Sequence, residues 1–201
     1  MPRGPVGVLC GAMLGLLSCA VHGPEAPAPG AAAPAALAAA DPALDFVRRE
    51  LTTRPTGLSD PELDALAEAI VTEARLQRLD PELVMAVMFV ESRYHAFAMS
   101  PVGAMGLMQI LPSTGEELAQ RLGVPWHGTR TLFDPTLNVR LGVAYLRQLQ
   151  AQFGSLEVAL AAYNWGPGHI GRRLRLGDDL PTEYPRLVRE AHAAQDAGRR
   201  S

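Results

Sequence analysis

Apolar residues recur along most of this chain at the three- and four-residue spacing of amphipathic helices, and almost nowhere at the alternate spacing of strands. After Asp60-Pro61-Glu62, the residues Leu63, Leu66, Ile70 and Ala74 fall on one helical face. An Asp before a Pro marks a helix start: the carboxylate accepts from free backbone N–H groups, and the Pro has none to satisfy. Asp80-Pro81-Glu82 repeats the signal ahead of a segment from Leu83 to about Arg93. Asp134-Pro135 precedes a longer one to about Phe153, with Leu137, Leu141, Ala144, Tyr145 and Leu149 on one side. Ser155 is placed to cap a helix to about Tyr163, and a last helix is predicted over about Tyr184 to Ala194. Between them lie the turn sequences Pro101-Val102-Gly103, Gly123-Val124-Pro125 and Gly166-Pro167-Gly168. The pattern predicts an all-α domain over residues 56–195, large enough for a single core, with a polar tail at 196–201.

The first 55 residues follow another logic. Arg3 precedes an apolar run from Val6 to Leu17, shorter than the roughly 20 residues a membrane-spanning helix needs. The run ends Leu16-Leu17-Ser18-Cys19, which resembles the lipobox of bacterial lipoproteins. The resemblance implies a signal peptide at 1–18 and a lipid on Cys19; the alternative is an ordinary secretory signal. Cys10 and Cys19 are the only cysteines, so cleavage before Cys19 leaves no pair for a disulfide. Ala20 follows the Cys where Asp would mark inner-membrane retention, and by the same resemblance this favours the outer membrane. Residues 19–55 are expected to form a tether. Four prolines (Pro24, Pro27, Pro29, Pro34) interrupt its alanines, and Leu44, Phe46, Val47 and Leu51 are compatible with one short helix near its end.

Composition narrows the classes further. The chain has 201 residues, 48% hydrophobic and 19% charged, with a formal net charge of −3. A buried core is feasible and global disorder is not expected. All 18 basic residues are Arg, which reads as coding bias. The mildly acidic balance disfavours nucleic acid as a partner. The five histidines show no metal-binding spacing and no cysteine pair is available for zinc, so no metal and no other cofactor is expected. A nucleophile elbow and a phosphate-binding loop are also missing.

One helix carries an anomaly. From Leu83 to Val90 it is apolar on every side, as buried helices are. Its first strongly polar residue, Glu91, continues the face of Val84, Val87 and Met88. Either the helix simply surfaces there, or the carboxyl faces a cleft. In a cleft, partial desolvation would favour its protonated form, and a protonated carboxyl near neutral pH is what acid catalysis of glycoside cleavage requires.

Three motifs bear on that choice. They are Glu91-Ser92-Arg93-Tyr94 with Ser100, then Gly103-Ala104-Met105-Gly106-Leu107-Met108-Gln109-Ile110, and finally Ala161-Ala162-Tyr163-Asn164-Trp165-Gly166-Pro167-Gly168, with Asn138, Gly142 and Tyr145 between the last two. In this order and spacing they resemble the lytic transglycosylase family with a soluble-lytic-transglycosylase type of catalytic domain, over roughly residues 65 to 175. The resemblance implies a lysozyme-like helical fold with a groove for glycan strands. It implies that Glu91 is the catalytic acid and that Ser100 hydrogen-bonds near the acid or the substrate. It further implies that Gly106, Met108 and Gln109 belong to a loop walling the groove, that Tyr163 and Asn164 lie opposite the acid, and that Tyr145 stands behind it. Read from the residues alone, Gly103 and Gly106 are equally turn residues, Met108 is equally core filler, and Tyr145, at helical spacing from Leu141, is more often core than contact. Gln109 and Asn164 are either structural or substrate contacts. His95 stands where the family often has Asn, and Trp165 replaces a small residue. The cluster Arg172, Arg173 and Arg175 is either a solvated face or a contact for acidic peptide stems.

Most glycosidases use two carboxylates, and no second one stands in these motifs. The resemblance implies a non-hydrolytic route instead, cleaving the MurNAc-GlcNAc β-1,4 bond of peptidoglycan to a 1,6-anhydro product. The expected location is the periplasmic side of the outer membrane. The alternatives are a hydrolytic goose-type muramidase and a catalytically silent peptidoglycan-binding lipoprotein.

Overall fold

The structure is a computed structural model and describes residues 41–200. Among these residues the named elements are all helices: α1 (Pro42–Thr52), α2 (Asp60–Leu76), α3 (Pro81–Ser92), α4 (Pro112–Leu122), a 3-10 turn (Thr129–Phe133), α5 (Pro135–Phe153), α6 (Leu156–Trp165), α7 (Pro167–Leu176) and α8 (Glu183–Arg200). The expected starts are present. Asp80 accepts from Glu82 N at 3.1 Å, and Asp134 accepts from Thr136 N and Leu137 N at 3.0 Å each. At α2 the cap lies one residue earlier than the Asp-Pro pair suggests. Ser59 is the N-cap, and the Glu62 carboxylate accepts from its backbone N at 2.8 Å.

The core is built around α3. Val84 to Met88 have no exposed surface, and α1, α2 and α8 all pack against this helix. Each valine and methionine among them stabilises the fold by roughly 1.5–3 kcal/mol relative to exposure, so an all-apolar surface is what this position demands. α5 lies against α2 and α6, and α6 contacts α7 and α8.

Three boundaries differ from expectation. The segment assigned to the end of the tether forms α1, whose Phe46, Val47 and Leu51 are buried against α2 and α3, so the packed unit begins well before residue 56. Gly166-Pro167-Gly168 is no simple turn: Pro167 starts α7, where a Pro is favoured because its missing N–H would have no partner. The segment 196–201, expected as a tail, continues α8 through Arg200. Gln195, just before it, is buried and donates from Nε2 to the Tyr94 hydroxyl at 2.7 Å. The signal segment and Cys19 lie outside the described residues.

The connection from Arg93 to Leu111 is the one extended irregular stretch close to α3. It folds on itself through two isolated antiparallel bridges, Met99 with Met105 and Met105 with Ile110. Buried Asn138 of α5 secures it. Its Nδ2 donates to Met105 O at 3.0 Å and to Leu132 O at 2.9 Å, and its Oδ1 accepts from Met108 N at 2.7 Å. Ser92 Oγ adds a bond to Leu107 O at 2.8 Å.

Candidate active site

Glu91 lies in the last turn of α3, where the buried helix meets a cavity of about 270 Å³. Ser100, Val102, Ala104, Gln109, Leu111, Tyr163 and Asn164 complete its lining. A second cavity of about 200 Å³ shares Gln109, Leu111, Tyr163 and Asn164 with the first and adds Ile110, Thr114, Tyr145, Trp165 and Gly166. The two depressions therefore share a wall, with Glu91 in one and Trp165 in the other. Among the residues lining them, Glu91 is the only carboxylate. Glu116 and Glu117, the nearest acids downstream in sequence, are exposed on α4.

Burial pushes the Glu91 carboxyl from 4.5 up to about 7. The Tyr184 hydroxyl acts against this by donating to Glu91 Oε1 at 2.5 Å, which favours the anion. Desolvation is the larger effect, so a large share of the carboxyl stays protonated near neutral pH. Burial, reinforced by the nearby Glu91 charge, holds both Tyr184 and Tyr163 well above the usual tyrosine value. Both hydroxyls consequently remain donors. Tyr163 donates to Met108 O at 2.9 Å. Its ring stacks on Tyr184 with centroids 6.5 Å apart and meets Tyr145 at 5.3 Å. Three tyrosines from α5, α6 and α8 thus make one continuous aromatic support leading to the acid.

Five of the expected groove residues converge here. Ser100 shares the cavity with Glu91; its oxygen accepts from Ala104 N at 3.0 Å and closes the turn at 100–104. Gln109 lies between both cavities with a φ of 47°, and its Nε2 donates to Ala98 O at 3.2 Å and Gly106 O at 2.9 Å. That leaves its carbonyl oxygen outside these bonds. Asn164 is exposed beside Tyr163, and Tyr145 lines the second cavity.

The other two do not face the groove, which corrects their expected place in its wall. Met108 has 0% exposure. Its side chain packs against Gly142 of α5, where an added Cβ would lie 2.4 Å from the sulfur. Gly106 is buried beneath the loop with a φ of 78°, and a Cβ there would come within 2.3 Å of Asn138 Nδ2 and 2.4 Å of Leu132 O. Its lack of a side chain permits both the left-handed backbone and the close approach. Both residues shape the loop from below.

Tyr184 was not identified from the sequence. It opens the final helix in a stretch that matches the family pattern loosely, and no local spacing links it to a glutamate 93 residues earlier. Of the arginine cluster, Arg173 donates Nε to Asp179 O at 2.6 Å, while Arg172 and Arg175 are exposed.

Known proteins share parts of this sequence and its fold. The family model for the transglycosylase SLT domain matches residues 68–184. The soluble lytic murein transglycosylase of Salmonella typhimurium is 40% identical over 88 residues, 43% of this chain and 14% of that protein. The transglycosylase of enterobacteria phage PRD1 is 34% identical over 133 residues, 59% of this chain and 47% of that protein. The chain thus spans only a minor part of these relatives. An X-ray structure of an inactive glutamate-to-glutamine mutant of the lytic transglycosylase Slt from Pseudomonas aeruginosa superposes with a TM-score of 0.52 at 34% identity. The match covers 64% of this chain and 22% of that one. The 70-kDa soluble lytic transglycosylase of Escherichia coli shares the fold, with a TM-score of 0.51 at 24% identity. A model match over more than half the chain, on the same helical fold, establishes that the protein belongs to the transglycosylase SLT domain family.

Proposed function

We propose that the protein is a peptidoglycan lytic transglycosylase that cleaves the MurNAc-GlcNAc bond without water. The observation that carries this reading is a lone carboxyl, raised to about 7, in a cleft that offers no second carboxylate. Glu91 donates its proton to the glycosidic oxygen, and the bond to the muramic anomeric carbon breaks as the N-acetylglucosamine hydroxyl leaves. The resulting Glu91 carboxylate then accepts the proton of the muramic 6-hydroxyl, whose oxygen closes onto the anomeric carbon. Glu91 ends protonated, the product carries a 1,6-anhydro ring, and the substrate itself supplies the nucleophile. Acid–base catalysis of this kind is worth about 10²–10⁴ in rate, and the intramolecular attack gains further from proximity. Tyr184 is the group that stabilises the transient anion. The substrates named for the relatives and the inactive glutamate-to-glutamine mutant of one of them support the same reading.

The test is digestion of purified peptidoglycan followed by mass spectrometry of the muropeptides. Products lighter by one water, about 18 Da, than hydrolytic ones are expected, and Glu91→Gln should release none. Reducing ends would replace this reading by hydrolysis, and full activity of Glu91→Gln would remove the acid assignment.

The anchor belongs to the same proposal. Leu16-Leu17-Ser18-Cys19 supports lipidation of Cys19 and attachment to the periplasmic face of the outer membrane, and some relatives are named as membrane-bound lytic murein transglycosylases. Cys19→Ala should move the protein from the membrane fraction to the soluble one; an unchanged membrane fraction would discard the anchor.

A further inference from the structure

Trp165 plays no part in the acid's surroundings, and it is not core. A ring of this size gains from leaving water, yet it remains 53% exposed. It is the last residue of α6, and α7 begins two residues on, after Gly166 at a φ of 83°. That bend brings the first turn of α7 against the indole. The His169 imidazole stacks on it with centroids 5.4 Å apart and an interplanar angle of 26°. Arg172 Nη2 in turn lies 3.4 Å from His169 Nδ1. An arginine can only donate, so a hydrogen bond between the two requires Nδ1 to accept. The indole is therefore both exposed and held in place. An aromatic ring pre-set in this way binds with little further loss of side-chain freedom.

Its location gives the ring a purpose. Trp165 lines the cavity of about 200 Å³ that shares Gln109, Tyr163 and Asn164 with the cavity containing Glu91. We infer that Trp165, propped by His169, is a stacking platform for one N-acetylhexosamine ring of the glycan, adjacent along the strand to the bond that Glu91 faces. This deepens the glycan-cleaving reading and rests on it. A β-1,4-linked hexosamine carries its hydroxyl and acetamido groups around the ring edge and presents axial C–H bonds on its faces. Such a face complements the electron-rich face of an indole. Asn164 and Gln109, on the shared wall, supply the polar groups an acetamido edge needs. Trp165 acts as a positioning residue: it holds the strand and leaves the proton transfers to Glu91.

The test uses the full chain carrying Glu91→Gln, so that strands bind without being cut. Binding of soluble, uncrosslinked glycan strands is measured by titration calorimetry. Adding Trp165→Ala should weaken Kd about tenfold, and Trp165→Phe should restore most of the loss. Because the ring is half exposed, both variants should melt with the parent. In the active chain the Trp165→Ala defect should appear in KM on long strands rather than in kcat. Unchanged binding and KM in Trp165→Ala would overturn the platform while leaving the cleavage reading intact. A parent chain that neither binds strands nor releases products would overturn both.

Discussion

A glutamate held near 7 weighs on the native state. Unfolded, the Glu91 carboxyl ionises near 4.5, and folded, at about 7. Between those values the native protein keeps a proton that the unfolded chain releases, so rising pH favours unfolding across the window and has no further effect above it. At about 1.36 kcal/mol per pH unit the penalty approaches about 3 kcal/mol. Glu91→Gln has no proton to lose. It should match the parent in stability near pH 4.5 and exceed it by up to about 3 kcal/mol near pH 8, as read by denaturant titration. Equal stabilities at pH 8 would mean that the carboxyl is not desolvated. Tyr184 sets the other side of the balance. Tyr184→Phe removes the donor that favours the anion, so the carboxyl's pKa rises further. On the proposed mechanism the free protein must hold the proton to give it, so kcat/KM falls as pH rises through this pKa. The variant should move that falling limb to higher pH by about half a unit or more. A limb that stays put would show that Tyr184 does not tune the acid. Glu91 stood out because its own helix is apolar all round, but its role as acid came only with the resemblance of the three motifs; Tyr184 was not legible, because its partner is distant in the chain and its role arises only from packing.

At the scale of elements, the loop from Arg93 to Leu111 holds its shape through α5. Asn138 satisfies three buried backbone groups, those of Met105, Met108 and Leu132. Asn138→Ala would leave them unpaired and should destabilise the fold by about 3 kcal/mol or more. A loss below about 1 kcal/mol in urea denaturation would mean that water or a loop shift replaces these bonds. This arrangement also explains why Gly106 and Met108 were misread as groove wall. They stand in one motif with Gln109, but Gln109 at a φ of 47° lines the cavities while Gly106 and Met108 lie buried beneath the loop. A motif names a loop; it does not say which side of the loop each residue presents. Helix starts were easier, because Asp-Pro at α3 and α5 is a local signal. α7 was missed because a Gly-Pro-Gly sequence has the same composition whether it ends at a turn or begins a helix.

For the whole molecule, the division between tether and domain is the point most changed by the structure. Phe46, Val47 and Leu51 are buried, and Asp41 and Arg75 are paired through two contacts that tie the start of α1 to the end of α2. A chain beginning at residue 56 should therefore be less stable than one beginning at residue 41 by at least about 2 kcal/mol, the worth of one large buried side chain. Thermal melting of the two would decide it, and equal midpoints would restore the shorter domain. A segment of 11 residues with four large apolar side chains reads equally as a linker helix and as a domain helix. What distinguishes the two is the surface waiting on α2 and α3, which no local pattern records.

The dependence of Glu91 on α8 also has a consequence in time. α3 is made before α8, and its glutamate meets Tyr184 only when a segment 93 residues further on has been made and has docked. Until then the carboxyl has neither its hydroxyl partner nor the burial that α8 helps to provide, and it behaves as an ordinary exposed acid. The proton affinity of Glu91 is thus set only when the fold closes, because α8 brings both the Tyr184 hydroxyl and part of the burial.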